Sequence, residues 1–247
     1  MKYSLKTIGM ILFILSIDLF YSCKKAEENT VNLTNGKTTA VFNSNKTYGT
    51  MTDQDGNVYK TISLGTQTWM AENLRTTKYR NGEAILEGTA NSAWSIIGTS
   101  SFCNYNNTEN NDTIATFGRL YNWSAVSDSR NIAPSGWHLP TDAEWSTLIT
   151  FLGDVSVDGG KLKELNLLHW ATPNLGADNS TGFTALPSGE RDNDGTFTGL
   201  GYLATWWSSS EYKGYGMYRY VYYEGPGEGV NFTFKGIGMA VRCVKDL

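Results

Sequence analysis

The clearest pattern of apolar positions in the chain follows Pro140. Large apolar side chains recur there at intervals of three and four residues: Trp145, Leu148, Ile149 and Leu152. This spacing is typical of a helix with one face turned toward a core. Thr141 and Glu144 form a capping box at its start, where each side chain can accept a backbone N–H of the first turn. Gly153 follows the last apolar position, and we expect it to end the helix as a left-handed C-cap.

Alternating apolar and polar positions predict strands elsewhere. Thr52 to Trp69 is predicted as a hairpin around the turn residues Asp55-Gly56-Asn57, with one side of its second strand formed by Val58, Lys60, Ile62 and Leu64. After Phe183, four more strands are predicted: Thr205 to Ser210, Met217 to Tyr223, Val230 to Phe234 and Met239 to Val244. A second short helix is predicted over Lys161 to Leu168. Helices flanked by antiparallel strands, without βαβ alternation, indicate an α+β domain with one or two short helices and long loops.

The N-terminus has the pattern of an export signal. Two lysines precede an apolar stretch from Ile8 to Phe20, which is shorter than the roughly 20 residues needed to span a bilayer. Tyr21-Ser22-Cys23 then resembles a bacterial lipobox. We therefore expect residues 1–22 to be a cleaved signal peptide and Cys23 to carry the lipid; the alternative is a secretory signal with an incidental cysteine. Residues 23–45 are predicted as a flexible tether, and residues 46–247 as the folded domain.

Composition and charge exclude some classes of protein. Charged residues make up 18% of the chain and aromatic residues 13%, with 26 glycines. This composition is typical of a folded, loop-rich protein that contains strands. The formal net charge of −4 argues against nucleic acid as a partner, because binding to phosphates needs a basic surface.

Cys103 and Cys243 remain once Cys23 is lipidated. Two thiols in an oxidising compartment usually pair, so a Cys103–Cys243 disulfide is expected. The alternative is that they are two separate buried thiols.

Residues suited to catalysis or metal binding are few. His138 and His169 have no neighbours at zinc-ligand spacing, so both are interpreted as structural. Glu190 and Asp192 could serve as a carboxylate pair if a cleft held them at the required separation. An enzyme is therefore an alternative, and the expectation is that the domain is not one.

Calcium is considered because loops rich in oxygen ligands occur. The turns that begin at Asp53 and at Asp192 lack the glycine and the final glutamate of an EF-hand loop, so both are interpreted as hairpin turns. The polar loop 104–112 still contains three candidate calcium ligands: Asn106, Glu109 and Asp112. No cofactor is expected otherwise.

Residues 205–234 are unusually rich in tyrosine, glycine and serine, a composition typical of recognition surfaces. In a strand, alternate residues from 218 to 222 share one face. We expect a ligand-binding surface made of Tyr212, Tyr215, Tyr218, Tyr220, Tyr222 and Glu224. Trp206 and Trp207 are expected in the core, and the tip from Glu224 to Glu228 is expected to be exposed.

Several segments occur in the order of a known family. They are Trp69-Met70-Ala71-Glu72-Asn73-Leu74, Gly118-Arg119-Leu120-Tyr121-Asn122-Trp123, Gly136-Trp137-His138-Leu139-Pro140, Gly182-Phe183-Thr184-Ala185-Leu186-Pro187, Trp206-Trp207-Ser208 and Val241-Arg242-Cys243. Together they resemble the Fibrobacter succinogenes major paralogous domain, which implies a cell-envelope protein and no particular activity. The segment 139–145 and the last strand are also similar to formylglycine-generating, sulfatase-modifying proteins, which implies a single C-type-lectin-like domain.

The expectation for function combines these observations. We expect an outer-membrane lipoprotein, surface-exposed or periplasmic, that meets the membrane through its lipid and binds a glycan or a surface protein without catalysis. An enzyme that acts on envelope or extracellular polysaccharide is the first alternative. A structural component of the envelope is the second.

Overall fold

The structure is a computed structural model that describes residues 36–94, 98–153 and 156–247. The expected signal peptide, Cys23 and the first part of the expected tether lie outside these residues. Within the described ranges, no helix is both long enough and apolar enough to cross a bilayer.

The elements are short and joined by long loops. The strands are β1 (Gly49–Thr52), β2 (Val58–Leu64), β3 (Gln67–Met70), β4 (Leu86–Glu87), β5 (Ser101–Cys103), β6 (Leu120–Tyr121), β7 (Trp137–His138), β8 (Ser188–Arg191), β9 (Phe197–Leu200), β10 (Leu203–Tyr212), β11 (Tyr215–Tyr222), β12 (Glu228–Thr233) and β13 (Val244–Lys245). The helices are α1 (Asn91–Trp94), α2 (Asn111–Phe117), α3 (Trp123–Val126), α4 (Asp142–Leu152) and α5 (Asp158–Leu162), with a 3-10 turn at Tyr105–Asn107. Most strand pairs are antiparallel, which confirms the α+β class.

The central sheet has strand order β1-β2-β3-β13-β7 and is buried on both faces. Alternate side chains of a strand point to opposite faces. Trp69 and Ile62 therefore belong to one apolar cluster, while Met70 and Tyr59 belong to another. The predicted hairpin is confirmed, and the sheet separates two cores.

Helix α4 is confirmed with its predicted face. Thr141 and Glu144 form both capping-box hydrogen bonds, and Gly153 ends the helix with a φ of 95°. The Trp145 side chain is fully buried, and its ring centroid lies 4.6 Å from that of Trp69. The helix thus covers one face of the central sheet.

The predicted helix over residues 161–168 is wrong. Helix α5 ends at Leu162, because the backbone of Lys163 is extended and pairs with Ala185. The buried Lys163 ammonium donates to three backbone carbonyls, those of Leu175, Tyr222 and Gly225. Pairing with Ala185 requires extended backbone at Lys163, and this is incompatible with a continuing helix.

The predicted strand from Met239 to Val244 is also wrong over most of its length. Only Val244 and Lys245 form β13, whereas Met239 and Ala240 make single bridges to Tyr121 and Trp206. These two residues pair with different segments, so the backbone cannot follow one partner strand. Strands β8 and β9 flank the hairpin turn predicted at Asp192, although no bounds were predicted for the two strands.

The other predicted strands are confirmed with longer bounds, as β10, β11 and β12. They form a three-stranded antiparallel sheet of order β10-β11-β12. In its register, Trp206 lies opposite Arg219 and Trp207 lies opposite Tyr218. Both tryptophans are fully buried, as expected.

Residues 36–48, here called the strap, lie along the domain. The Lys37 backbone N–H donates to Asp112, and the Val41 N–H donates to Glu164. The Tyr48 hydroxyl donates to the carbonyl of Gly182. The described part of the expected tether is therefore bound to the domain surface.

Helix α4 gives a stability test. Trp145→Ala removes a fully buried ring that packs against Trp69 and Trp206, so we expect it to lower the free energy of unfolding by roughly 3–5 kcal/mol. Thr141→Ala removes only the N-cap and should cost about 1 kcal/mol. Urea unfolding followed by tryptophan fluorescence and circular dichroism measures both. A smaller loss for Trp145→Ala than for Thr141→Ala would contradict the packing described for this helix.

Candidate recognition surface

Four exposed aromatic side chains lie together at the free end of the β10–β11 hairpin and on β12. They are Tyr212, Tyr215, Phe232 and Phe234, here called the aromatic patch; 43%, 36%, 44% and 60% of their surfaces are exposed. The Phe232 ring centroid lies 5.0 Å from that of Tyr212 and 5.6 Å from that of Tyr215. Clustered exposed rings of this kind mark interaction sites more often than single exposed apolar residues do.

The patch is the uncovered half of one sheet face. Tyr212 lies opposite Tyr215, and farther along the same face Trp206 lies opposite Arg219. Helix α4 packs on that second pair: the Trp145 ring lies 5.8 Å from Trp206. Because α4 covers only part of the face, the aromatic rings beyond it meet solvent.

A tight turn presents the patch. Lys213 and Gly214 connect β10 to β11, with φ angles of 48° and 86°. Positive φ at both central residues of a two-residue hairpin is typical of a type I′ turn. The two flanking tyrosines are therefore held opposite each other by backbone pairing, which lowers the entropy lost when they bind a ligand.

A pocket of about 390 Å³ adjoins the patch. It is lined by Trp94, Asn193, Gly214, Tyr215, Phe234, Lys235 and Gly236. Its volume lies within the usual range for small-ligand sites, roughly 300–1,000 Å³. Trp94 is almost fully buried, and its indole N–H has no acceptor among the described residues. A buried donor without an acceptor is costly, so a ligand that supplies one would be favoured.

Charged groups border the pocket. The Lys235 ammonium lies 2.7 Å from Glu211 Oε1, which also accepts the Trp123 indole N–H at 3.2 Å. The Lys235 hydrogen bond lowers the pKa of Glu211. This rim therefore carries a paired charge at neutral pH beside an apolar interior.

The six residues expected to bind ligand do not form one surface. Tyr218, Tyr220 and Tyr222 lie on the opposite sheet face from the patch. Tyr218 is half-buried against Trp207, and Tyr222 is exposed at the far end of β11. Glu224 is exposed beyond that end. Of the six, only Tyr212 and Tyr215 belong to the aromatic patch.

The binding surface expected from the sequence did not include Phe232 and Phe234. Their signal was the alternation of Val230, Phe232 and Phe234 in a predicted strand, which places all three on one face. Pairing of Phe232 with Met217 in the register brings that face beside Tyr215.

The expected exposure of residues 224–228 is wrong at Glu228. Its side chain is 5% exposed and lies 3.2 Å from Arg219, whose guanidinium also contacts Asp142 at 2.5 Å. The Glu228 N–H donates to Asp158. Burial raises the pKa of Glu228 to about 7, although Arg219 opposes this shift. Two carboxylates share one guanidinium here, so Glu228 belongs to the structural core of this corner.

Both histidines have carboxylate partners. His138 lies 2.6 Å from Asp246 and 2.7 Å from Glu144; partial burial opposes its protonation, but these hydrogen bonds raise its pKa. His169 lies 2.7 Å from the buried Glu164 and 2.8 Å from the Thr39 hydroxyl. Each histidine therefore joins chain segments that are distant in sequence.

Two of the three candidate calcium ligands, Asp112 and Asn106, have other structural roles. Asp112 accepts the Lys37 N–H, and Asn106 has a φ of 51° within the 3-10 turn. The described residues include no group of three or more His, Cys, Asp or Glu side chains arranged to hold a metal ion. Glu109 is exposed.

The two Asp-led turns are confirmed as hairpin turns. Asp53 accepts from the backbone N–H groups of Asp55 and Asn57 and from the Tyr59 hydroxyl. Asp192 closes the β8–β9 turn through a hydrogen bond with Thr196. Glu190, on β8, is largely buried, and burial raises its pKa, with Asp192 adding to the shift.

The expected Cys103–Cys243 disulfide is not formed. Both side chains are free, buried thiols. Cys103 packs with Trp94 and Leu120, whereas Cys243 belongs to the cluster beside the central sheet. Burial raises the pKa of Cys103 to about 12 and also raises the pKa of Cys243, so neither thiol is reactive in the folded chain.

Comparison with known proteins identifies one family. The model of the Fibrobacter succinogenes major domain matches residues 62–245. No curated protein matches the chain, and no solved structure does.

The buried Glu228 predicts a pH effect on stability. Its folded pKa of about 7 lies above its ordinary value of 4.5, so the folded state keeps a proton that the unfolded state releases between these two values. Stability should therefore fall as the pH rises from about 4.5 to 7, by about 3 kcal/mol from this group. Glu228→Gln should lack this contribution.

Urea unfolding of both proteins at pH 5 and pH 8 measures the difference. The comparison between them cancels the other titrating groups, including His138. Parallel pH profiles for the two proteins would contradict the assignment.

Proposed function

The chain belongs to the Fibrobacter succinogenes major domain family, and we propose that this member is a non-catalytic recognition domain that binds its ligand through the aromatic patch. The observation that carries the proposal is the cluster of four exposed rings on a sheet face that α4 leaves uncovered. The type I′ turn holds Tyr212 and Tyr215 in place without a ligand. A preorganised aromatic surface binds with a small entropy loss.

The ligand class that this surface fits best is a glycan. Aromatic rings pack against the apolar C–H faces of sugar rings, and the tyrosine hydroxyls can hydrogen-bond to sugar hydroxyls. In the adjoining pocket, Trp94 contributes part of the aromatic lining, and its N–H has no acceptor among the described residues. Ring planes in the patch are inclined by 46° to 66°, which suits a chain of sugars that bends over the surface rather than a flat sheet of them.

We also propose that the fold is C-type-lectin-like. Two segments carry the resemblance: the capped helix α4 and the segment that ends in β13. In the structure α4 packs on the central sheet through Trp145, and β13 is a strand of that sheet, with Val244 paired to Trp69. This agreement supports the proposal at the level of scaffold positions.

The proposed location is the outer membrane, through a lipid on Cys23. The support is the signal pattern and lipobox in the sequence. Several acyl chains together give stable anchoring where a single chain is marginal.

Replacement of Cys23 tests the anchor. Cys23→Ala removes the thiol that takes the lipid, so we expect the protein to leave the membrane fraction and to lose its lipid mass. Cell fractionation and intact-mass measurement check this. Unchanged membrane fractionation together with unchanged lipid labelling would contradict it.

Substitutions in the patch test the function. Tyr215→Ala and Phe232→Ala should each weaken binding to a ligand found on a polysaccharide array by about thirty-fold, since exposed hot-spot aromatics contribute about 2 kcal/mol or more. Their melting temperatures should stay close to that of the parent. Tyr202→Ala, an exposed tyrosine outside the patch, is the matched control and should bind normally.

Trp94→Phe tests the contribution of the pocket to binding separately from that of the patch, because it keeps a ring and removes the N–H. We expect weaker glycan binding together with a lower melting temperature, because Trp94 is buried against Cys103 and Leu120. Binding of a protein instead of any glycan would reassign the ligand class, and turnover of a glycan would favour the enzyme alternative. Large drops in melting temperature for both patch variants would show that these rings are packing residues.

A further inference from the structure

The far end of the molecule carries a second exposed apolar surface. Its members are 48% to 63% exposed and come from two loops: Leu165, Leu167, Leu168, Leu175 and Tyr202, here called the leucine end. From residue 165 to residue 177 the sequence contains no Asp, Glu, Lys or Arg, although such residues make up 18% of the chain. An uncharged loop with several exposed leucines is rare on a surface that meets only water.

The leucine end is held in shape by buried polar contacts. The Asn174 amide donates to the backbone carbonyls of Glu164 and Asn166, and the Leu168 N–H donates to the Asn166 side chain. The Leu175 N–H donates to the carbonyl of Tyr223. These bonds fix the loop in a form that exposes its leucines.

The chain that leads to Cys23 passes this end, and the Lys37 N–H then donates to Asp112 at the start of α2. The Thr39 hydroxyl lies 2.8 Å from His169, and the Val41 N–H lies 2.6 Å from Glu164. Both partners flank the leucine loop directly. From Gly36 back to Cys23 there are only 13 residue steps, which span at most roughly 45 Å when fully extended.

The aromatic patch lies at the opposite end of the same hairpin. Tyr222 ends β11 beside the leucine end, and Tyr215 begins it in the patch. Seven residue steps along a strand span about 23 Å at roughly 3.3 Å each. The hairpin therefore separates the two exposed apolar surfaces along its length.

We propose that the leucine end rests in the interfacial layer of the membrane that holds the lipid anchor, and that the aromatic patch faces away from it. The occupant of this surface is lipid. Apolar side chains enter that layer without the desolvation penalty that a charge would carry, and the short chain to Cys23 keeps this end near the bilayer. The inference rests on the proposed anchor and deepens it by giving the domain one orientation.

Site-directed labelling tests the orientation. The full, lipidated protein with Leu168→Cys is labelled with bimane and reconstituted into phosphatidylcholine–phosphatidylglycerol vesicles that contain nitroxide lipids. The matched control is Lys213→Cys, an exposed position in the turn of the patch. Cys103 and Cys243 are buried and should stay unlabelled in the folded protein, which the parent chain checks.

We expect nitroxide lipids to quench the label at position 168 several-fold more than the label at position 213. Equal quenching at both positions would overturn the inference, as would shielding at position 168 that needs an added protein. Leu167→Ser in the labelled Leu168→Cys protein should reduce the quenching and leave the melting temperature unchanged.

Intact-mass measurement of the same samples distinguishes failure of the proposed anchor from failure of the proposed orientation. Absence of the lipid on Cys23 would overturn both the anchor and this inference. A lipidated protein whose label is not quenched would overturn only the inference. Glycan binding by the patch is measured independently and is expected to be unchanged in the Leu167 and Leu168 variants, which lie outside the patch.

Discussion

The guanidinium of Arg242 is fully buried, and four segments of the chain meet around it. It donates to the Asn73 side chain and to the carbonyls of Phe183 and Thr184, with the Phe183 ring 4.2 Å away. Asn73 in turn accepts the Trp206 indole N–H. Burial of a charge costs several kcal/mol unless hydrogen bonds compensate, and burial lowers the pKa of Arg242 to about 9. Four of the six segments that resemble the family thus meet at one buried charge, which gives a physical reason for their occurring together.

Buried cations also donate hydrogen bonds to loop carbonyls elsewhere in the domain, where long loops approach the core. Loops carry backbone carbonyls that no sheet pairs, and a buried carbonyl needs a donor. Lys163 donates to three of them, and Arg191 donates to those of Gly88 and Gly195, among others. In each case one cation gathers several loop segments. The two cores can therefore be built from short strands, because buried side chains replace much of the hydrogen bonding that longer sheets would supply.

These contacts also explain which features could be predicted from the sequence. Helix α4 and the first hairpin depend on neighbouring residues, such as Thr141 with Glu144, so their patterns are visible in a short window. The end of α5 and the irregular course of residues 239–243 depend on Lys163 and Arg242 meeting distant carbonyls, which no local pattern reveals. For the surface, the sequence correctly indicated that Tyr212 and Tyr215 are exposed. It could not show that α4 stops short of them, which is what exposes Phe232 beside them.

The position of that uncovered face follows from how the hairpin is fixed. Trp206 and Trp207 anchor β10 in two different cores, one on each side of the strand, so the strand cannot rotate or slide. Beyond them the register shifts between Trp207 and Glu211, and an irregularity of this kind bends a strand locally. The last residues of β10 and the first of β11 therefore extend past α4 as a ribbon with a fixed direction. A ribbon held in this way transmits the orientation of the domain to the rings at its tip, so whatever positions the opposite end also positions the aromatic patch.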